Sequence, residues 1–400
     1  MNKKVYITGI GAISAIGNNV AENFNSLKNK KSGIGKITLL NTIFKAEIPA
    51  GEVKLSDKHL IEQLRLPEKE VYTRTALLGI TAVKEALKNA GISDPSKEKT
   101  GIVSATTVAG MVSSEKYYLD FLNSDLNNDF IKTHEAADST EKIADYFGIS
   151  EFMTTISTAC SSSANAIIIG TRLIKNGILD RVIVGGTDAL SKFTLNGFNT
   201  LMILDRKPCK PFDNGRQGLN LGEAAAYLIL ESEELVKKEN KKPLAVISGY
   251  ANANDAFHQT ASSPNGYGAS LAMQQALETA KLKPEEIDYI NVHGTGTANN
   301  DLSEGRAMLN VFDNKIPKFS STKAYTGHTL AAAGSLEAVF SVLSLQNKII
   351  FPNLRFQNPM SEFHLIPETE ILKNINIKHI MSNSFGFGGN GTVLIISETN

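Results

Sequence analysis

The sequence predicts an α/β fold whose sheets are covered on both faces, and three observations carry that prediction. Apolar β-branched runs alternate with helical patterns over almost the whole chain. The 400 residues, 42% of them hydrophobic, are enough to bury a large core in two or three domain-sized units. The two halves also echo one another.

In chain order, the first strand is Lys4–Ile10, β-rich at Val5-Tyr6-Ile7-Thr8 and running into a Gly-rich turn. Gly9, Gly11 and Gly17 punctuate what a signal peptide would need as a continuous apolar helix, so a first buried strand is expected here rather than a leader. A helix over Thr75–Asn89 precedes a strand at Gly101–Ala105. A short β segment, Phe152–Ile156, leads into a small-residue helix, Ala164–Asn176. Strands at Arg181–Gly185 and Ala224–Leu230 close the first half, and a charged linker, Glu231 to Lys242, divides the chain into 1–240 and 241–400. The second half reads as strands at Leu244–Tyr250, Tyr289–His293 and Gly391–Ile396, with helices at Gly268–Ala280, Asp301–Phe312 and Ala331–Gln346.

The echo lies in the details. Val5-Tyr6-Ile7-Thr8-Gly9 corresponds to Ala245-Val246-Ile247-Ser248-Gly249, and the helix end Ala86–Gly91 to Ala276–Ala280. A further strand follows in each half. This predicts an internal duplication with the site where the halves meet, although βαβ units resemble one another in any case.

Composition excludes several function classes. With 41 basic and 41 acidic side chains, nothing favours nucleic acid or an anionic membrane surface. Cys160 and Cys209 are too few for a disulfide framework and fit a reducing compartment. No apolar stretch approaches the roughly 18 residues that span a bilayer. The expectation is a soluble, cytoplasmic protein.

Four segments carry chemistry. Cys160 stands in Ser157-Thr158-Ala159-Cys160-Ser161-Ser162-Ser163, between a β segment and a helix, where the helix N-terminus favours the thiolate. A lone Cys in an apolar segment is also the signature of an inert small hydrophobe. The second segment is Val292-His293-Gly294-Thr295-Gly296-Thr297. Its His ends a strand, its threonines can hold a polar arm and its glycines allow close backbone approach. In the third, Lys323 precedes His328 by five residues at the head of an Ala-rich helix, whose N-terminus disfavours imidazolium. The fourth, Asn383-Ser384-Phe385-Gly386-Phe387-Gly388-Gly389-Asn390-Gly391, reads as a pocket-edge loop with backbone N–H groups available to an oxyanion.

With these residues in this order, the chain resembles the β-ketoacyl-acyl carrier protein synthases, the elongating condensing enzymes of the thiolase superfamily. The resemblance spans essentially the whole chain. It implies a thiolase-like fold of duplicated βαβαβ halves in five α-β-α-β-α layers. It also implies a 3-oxoacyl-carrier protein synthase, an acyltransferase performing decarboxylative Claisen condensation. Cys160 would accept the acyl chain, with the N–H groups of Cys160 and Phe387 as oxyanion hole. His293 and His328 would stabilise the enolate from malonyl-carrier protein, supported by Lys323. Thr295 and Thr297 would hold the phosphopantetheine arm, and Phe387 would gate between the acyl and malonyl pockets. Val108 and Phe198 would line the acyl tunnel. Asn291, Glu337, Ser382 and Asn383 match a monovalent-cation site of some members. No cofactor is implied beyond the carrier's phosphopantetheine. The implied partners are the acyl carrier protein and a second copy of the chain, or a ketosynthase-like subunit in a heterodimer.

The chain departs from the usual fatty-acid enzymes in three places. The stretch Leu204 to Asp213 is shorter, and Gly218-Leu219-Asn220-Leu221-Gly222-Glu223-Ala224 replaces a Gly-Phe-x-x-Gly-Glu-Gly run. Asn390-Gly391 also replaces a common Thr-Asn pair. The first two segments look closer to ketosynthases of aryl-polyene and flexirubin-type pigment clusters. Arg206, Lys207 and Lys210 form a basic group suited to docking an acidic carrier, or an ordinary solvated turn. Arg74 raises the same question, and Cys209 reads as structural. A degradative thiolase is excluded because no Cys follows Cys209. The Gly327-His328 pair speaks against the Cys-His-Asn initiating and chalcone-type enzymes. A non-catalytic chain-length partner typically lacks the nucleophilic Cys. An acyl-binding protein without turnover is the remaining alternative.

Overall fold

The structure is a computed structural model describing residues 3–67, 70–124, 127–313 and 315–399. Met1 and Asn2, with which the charged N-terminal segment begins, lie outside the described residues. The first half contributes β1 (Val5–Ser14), β2 (Thr100–Ala105), β3 (Phe152–Ile156), β4 (Arg181–Asp188) and β5 (Ala224–Ser232). The second contributes β6 (Ala245–Asn254), β7 (Tyr289–Asn291), β8 (Lys318–Ser320), β9 (His379–Gly386) and β10 (Asn390–Ser397). Among the described residues these strands form one sheet in the order β8-β7-β9-β10-β6-β1-β5-β4-β2-β3.

From the seam outward, the first half runs β1-β5-β4-β2-β3 and the second β6-β10-β9-β7-β8, the same path repeated. Directions repeat as well. β2 is parallel to β3 and β4, as β7 is to β8 and β9, and the remaining pairs are antiparallel. The duplication read from the sequence is therefore a duplication of topology. At the seam, β1 and β6 pair only at Tyr6↔Val246 and Ile7↔Ala245.

The helices used below are α1 (Arg74–Asn89), α2 (Ala136–Phe147), α3 (Ser162–Lys175), α4 (Lys192–Thr200), α5 (Tyr267–Ala280), α6 (Ala298–Phe312) and α7 (Ala333–Asn347). α1 and α2 cover the outer face of the first half, and α5 and α6 that of the second. α3 and α7 pack on each other and on strands of both halves, which gives five layers. Every residue of α7 from Ala333 to Leu345 is buried, as a helix enclosed between the two halves of the sheet requires. Among the described residues, no helix is long and apolar enough to cross a membrane.

The echo has a packing cause. β1 carries a register shift between Ile7 and Gly9, and β6 carries one between Ile247 and Gly249. Each bulge turns its glycine toward the outer helix. A Cβ on Gly9 would lie 2.4 Å from Ala86 O, and one on Gly249 would lie 2.5 Å from Ala276 O. Gly9→Ala and Gly249→Ala should each destabilise the fold by about 1–3 kcal/mol, through overpacking against backbone that cannot move aside. Gly35→Ala, where a Cβ would meet nothing within 4 Å, serves as the control in denaturant melts. Equal midpoints for all three would refute this account.

Two expectations are corrected here. The first strand does not turn after Ile10: Gly9 and Gly11 lie inside β1, which continues to Ser14. Asn383 to Gly386 belong to buried strand β9, and only Phe387–Gly389 form the turn. A strand between two others needs no apolar alternation on its own, so these small polar residues had looked like a loop. His293 falls just past β7, on a loop as required.

Candidate active site

The functional segments converge at the C-terminal ends of the parallel strands, the crevice position of open α/β sheets. Cys160 sits on the elbow between β3 and α3, just after Ala159 in the left-handed region at φ 52°. That conformation costs a residue with a Cβ about 1–2 kcal/mol, and the serine run holds it. Ser161 Oγ donates to Thr158 O (2.8 Å), and Ser162 Oγ accepts from Thr158 N–H (2.8 Å). Ser163 Oγ accepts from Ser335 N–H in α7 (2.8 Å). His328 occupies the corresponding elbow of the second half, between β8 and α7. Gly386 ends β9 so close to the thiol segment that a Cβ would lie 2.9 Å from Cys160 N. This approach brings the backbone N–H of Phe387, together with that of Cys160, to the sulfur.

His293 is fixed from two sides. Its N–H and that of Gly294 donate to the two oxygens of Glu304 (both 2.8 Å), and Asn383 Nδ2 donates to the same carboxyl (2.9 Å). Lys323, only 2% exposed, donates through Nζ to His293 Nδ1 (3.1 Å) and is bonded to Glu337 Oε1. At His328, the Leu330 N–H donates to Nδ1 (3.2 Å). With both Nδ1 atoms accepting, each neutral ring carries its proton on Nε2. Burial, reinforced by Lys323, drives both imidazoles well below their ordinary pKa. The rings stand 5.2 Å apart, edge to face. The site therefore holds two neutral N–H donors.

The thiol corrects the expectation drawn from helix position. Burial pushes Cys160 up to about 11, against the opposing pull of Lys323 and the two N–H groups. Desolvation of a residue 6% exposed outweighs what the helix end returns. Because the thiolate is the reactive form and its fraction rises with pH below the pKa, iodoacetamide labelling of Cys160 should accelerate about tenfold per pH unit from pH 7 to 9.5. A plateau in that range would contradict the burial effect. Cys209 is buried, its sulfur 3.8 Å from Lys323 O.

A cavity of about 250 Å3 opens onto these groups, with Cys160, His293, His328, Thr295, Thr297 and Phe387 in its wall. The Thr295 and Thr297 hydroxyls bond each other (2.9 Å), and Thr297 also caps α6. Phe198 lines the same cavity, its ring stacked on Phe387 at 5.7 Å. Val108 does not line it. Val108 is buried behind Phe198 in an apolar cluster with Leu190, Leu195 and Leu330, its N–H bonded to Asp188.

Asn291 Oδ1, Glu337 Oε2, Ser382 Oγ and Asn383 Oδ1 are all buried without a hydrogen-bond partner among the described residues. Asn291 and Ser382 are register neighbours on β7 and β9, and Asn291 Nδ2 reaches Glu337 O (3.4 Å). Orphaned buried oxygens of this kind are the donor set that a hard monovalent cation accepts. Arg206 is partly neutralised by Glu47 (3.2 Å), Lys207 is exposed, and Lys210 bonds Gln357. Arg74 is no docking residue. It is buried and paired with both oxygens of Glu223 and with Asp57.

Sequence reasoning passed over three carboxyl and amide groups. Glu304 holds the His293 segment, and burial pushes it up to about 7. Asp188, fully buried, accepts from Thr106, Thr107, Val108 and Ala331, tying the strand ends to the start of the His328 helix. Asn220 braces the turn at 205–209. Only Asn220 left a signal, as a departure within the Gly-Leu-Asn-Leu-Gly-Glu run.

A duplicated five-layer α/β fold with a buried thiol facing two neutral imidazoles defines a thiolase-like condensing enzyme of the acyltransferase class. The chain belongs to the β-ketoacyl synthase family, whose N-terminal domain matches residues 2–235 and whose C-terminal domain matches residues 244–357. It is 33% identical over 410 residues to a 3-oxoacyl-[acyl-carrier-protein] synthase 2 of Staphylococcus aureus strain N315, covering 99% of each chain. Among solved structures, the ishigamide ketosynthase/chain length factor superposes with a TM-score of 0.92 at 27% identity, covering 100% of both chains. A type II PKS acyl-carrier protein in complex with its ketosynthase bound to the hexaketide gives 0.88 at 26% identity, again over 100% of both chains.

Proposed function

We propose that this chain extends a carrier-bound acyl chain by two carbons, with Cys160 as nucleophile and His293 and His328 as the enolate-stabilising pair. The observation that carries this reading is the joint geometry of one buried thiol with two N–H groups at its sulfur and two Nε2–H donors beside it.

The sulfur attacks the acyl thioester, and the developing oxyanion meets the N–H groups of Cys160 and Phe387. The S–C bond to the carrier's phosphopantetheine breaks, and the Cys160 proton leaves with the departing thiol. Malonyl thioester then enters past Thr295 and Thr297, which hold the arm. Its carbonyl accepts from the two Nε2–H groups as carbon dioxide departs, so negative charge develops where donors already point. The carbanion attacks the acyl-Cys carbonyl, the Cys160 thiolate is expelled, and a solvent proton restores the thiol. Lys323 holds the His293 tautomer throughout. A monovalent cation on Asn291, Glu337, Ser382 and Asn383 would supply fixed positive charge beside the Glu337–Lys323 pair.

The remaining parts of this reading rest on particular features. The stacked Phe387 and Phe198 rings line the cavity, and Phe198 packs against the apolar cluster containing Val108, which would receive the chain when the stack opens. Lys207 and Lys210, with Arg206 contributing less because of Glu47, would meet the acidic carrier. The division at 240/241 would separate a thiol-bearing half from an imidazole-bearing half. Among the described residues β3 ends the sheet with no further partner strand, and the helix Met111–Asn123 exposes Tyr118, Leu119, Phe121 and Leu122. These features support a dimer, with either a second copy or a ketosynthase-like partner. The two free cysteines support a cytoplasmic setting.

The test is reconstitution with malonyl-carrier protein and a panel of saturated and polyunsaturated acyl-carrier proteins, read by intact mass. A Cys160 adduct followed by a product two carbons longer is expected. A preference for polyunsaturated donors would place the enzyme in polyene assembly rather than fatty-acid synthesis. Carrier binding without any adduct would end the catalytic reading and favour a chain-length partner.

A further inference from the structure

Asn220 is fully buried, and every polar group of its side chain is used. Its Oδ1 accepts from Cys209 N–H (2.7 Å), and its Nδ2 donates to Asp205 O and Lys207 O (both 3.1 Å). On the main chain, Asn220 O accepts from His328 N–H (2.7 Å), and Gly222 N–H donates to His328 O (2.9 Å). His328 is thus seated on the segment that Asn220 anchors. The braced turn returns to the same catalytic strip by a second route. Arg355 Nε donates to Cys209 O (2.9 Å) and its Nη2 is bonded to Ala324 O, one residue past Lys323. Two of the departures noted in the sequence, the short Leu204–Asp213 stretch and the Asn of the Gly-Leu-Asn-Leu run, are therefore the two sides of one contact.

None of these bonds reaches the thiol elbow. Cys160 is held by Thr158 and the serine run, and Gly386 approaches it from β9. Loss of the Asn220 side chain would leave the buried Cys209 N–H orphaned and free the turn from the His328 segment. The disturbance should fall on the imidazole side alone.

We propose that Asn220 is a positioning residue that aims the His328 Nε2–H, so that it supports enolate formation while leaving acyl transfer to Cys160 untouched. This rests on the roles assigned above. The experiment uses the full chain with acyl- and malonyl-carrier proteins, comparing Asn220→Ala and Asn220→Asp with wild type. The Asp variant keeps the shape and the acceptor but loses both donors when ionised. Cys160 acylation, followed by intact mass, should stay within about twofold of wild type. The kcat for malonyl decarboxylation should fall about 10- to 100-fold at unchanged KM, the scale of a small misplacement in a catalytic site.

Loss of both steps in equal proportion, or of neither, would overturn the proposal. If neither variant folds by circular dichroism, Asn220→Ser, which retains one hydrogen-bonding group, decides it by the same comparison. Failure of all three to fold would mean that Asn220 serves folding and not aim. A wild-type chain that is never acylated would instead overturn the catalytic reading itself, so the two failures are distinct.

Discussion

Cys160→Ala is expected to abolish acyl transfer and condensation, lowering turnover on the order of 10⁴-fold or more, because the covalent intermediate has no other carrier. The hydrogen bonds that hold the elbow do not use the sulfur, at which only the N–H groups of Cys160 and Phe387 converge. Thr158, Ser161, Ser162 and Ser163 hold the elbow through hydroxyls and backbone, so the variant should fold as wild type does. Cys209 cannot substitute, being buried beside the Lys323 carbonyl. The measurement is adduct mass after incubation with acyl-carrier protein, alongside a thermal melt. Wild-type turnover by a folded Cys160→Ala chain would end the proposal that this thiol is the nucleophile.

The second large effect is expected at His293→Ala. One of the two Nε2–H donors disappears, and removal of a preorganised oxyanion donor typically costs about 10²- to 10³-fold in kcat. Malonyl decarboxylation and condensation should fall by that scale while Cys160 acylation survives, since the acyl oxyanion is served by the N–H groups of Cys160 and Phe387. The substitution also leaves Lys323 Nζ without its 3.1 Å acceptor. Lys323 should therefore turn wholly to Glu337. Loss of acylation with decarboxylation preserved would reverse the assigned roles.

The four residues proposed as catalytic stand out in the sequence because each sits in a short local pattern of small residues, which close approach to a ligand requires. Cys160 lies among serines, His293 among glycines and threonines, and Lys323 and His328 precede an Ala-rich helix. The duplication was legible for a similar reason: Gly9 and Gly249 are seats for Ala86 and Ala276, and only glycine fits. Strand β9 was not legible, because Ser382, Asn383 and Ser384 are polar residues whose burial is set by β7 and β10 on either side. Glu304 and Asp188 look like surface carboxylates in a sequence. Their roles arise from bonds to residues up to 79 positions away in one case and up to 143 positions away in the other. The thiol's acidity was misjudged because helix position is local, whereas desolvation is a property of the assembled core.

The repeated sheet path has a consequence for how such an enzyme can change. The Cys160 thiol and the His328 imidazole stand on matching elbows of two copies of one fold, joined by two residue pairs of sheet and the shared helices α3 and α7. In the proposed mechanism one copy would store the electrophile and the other would manufacture the carbanion, a division of labour between twins. Apart from the Phe387 N–H, which the second copy would lend to acyl transfer, lesions in either copy should be recorded in one half-reaction, so that acyl preference can drift in the first copy without retuning the decarboxylation assigned to the second.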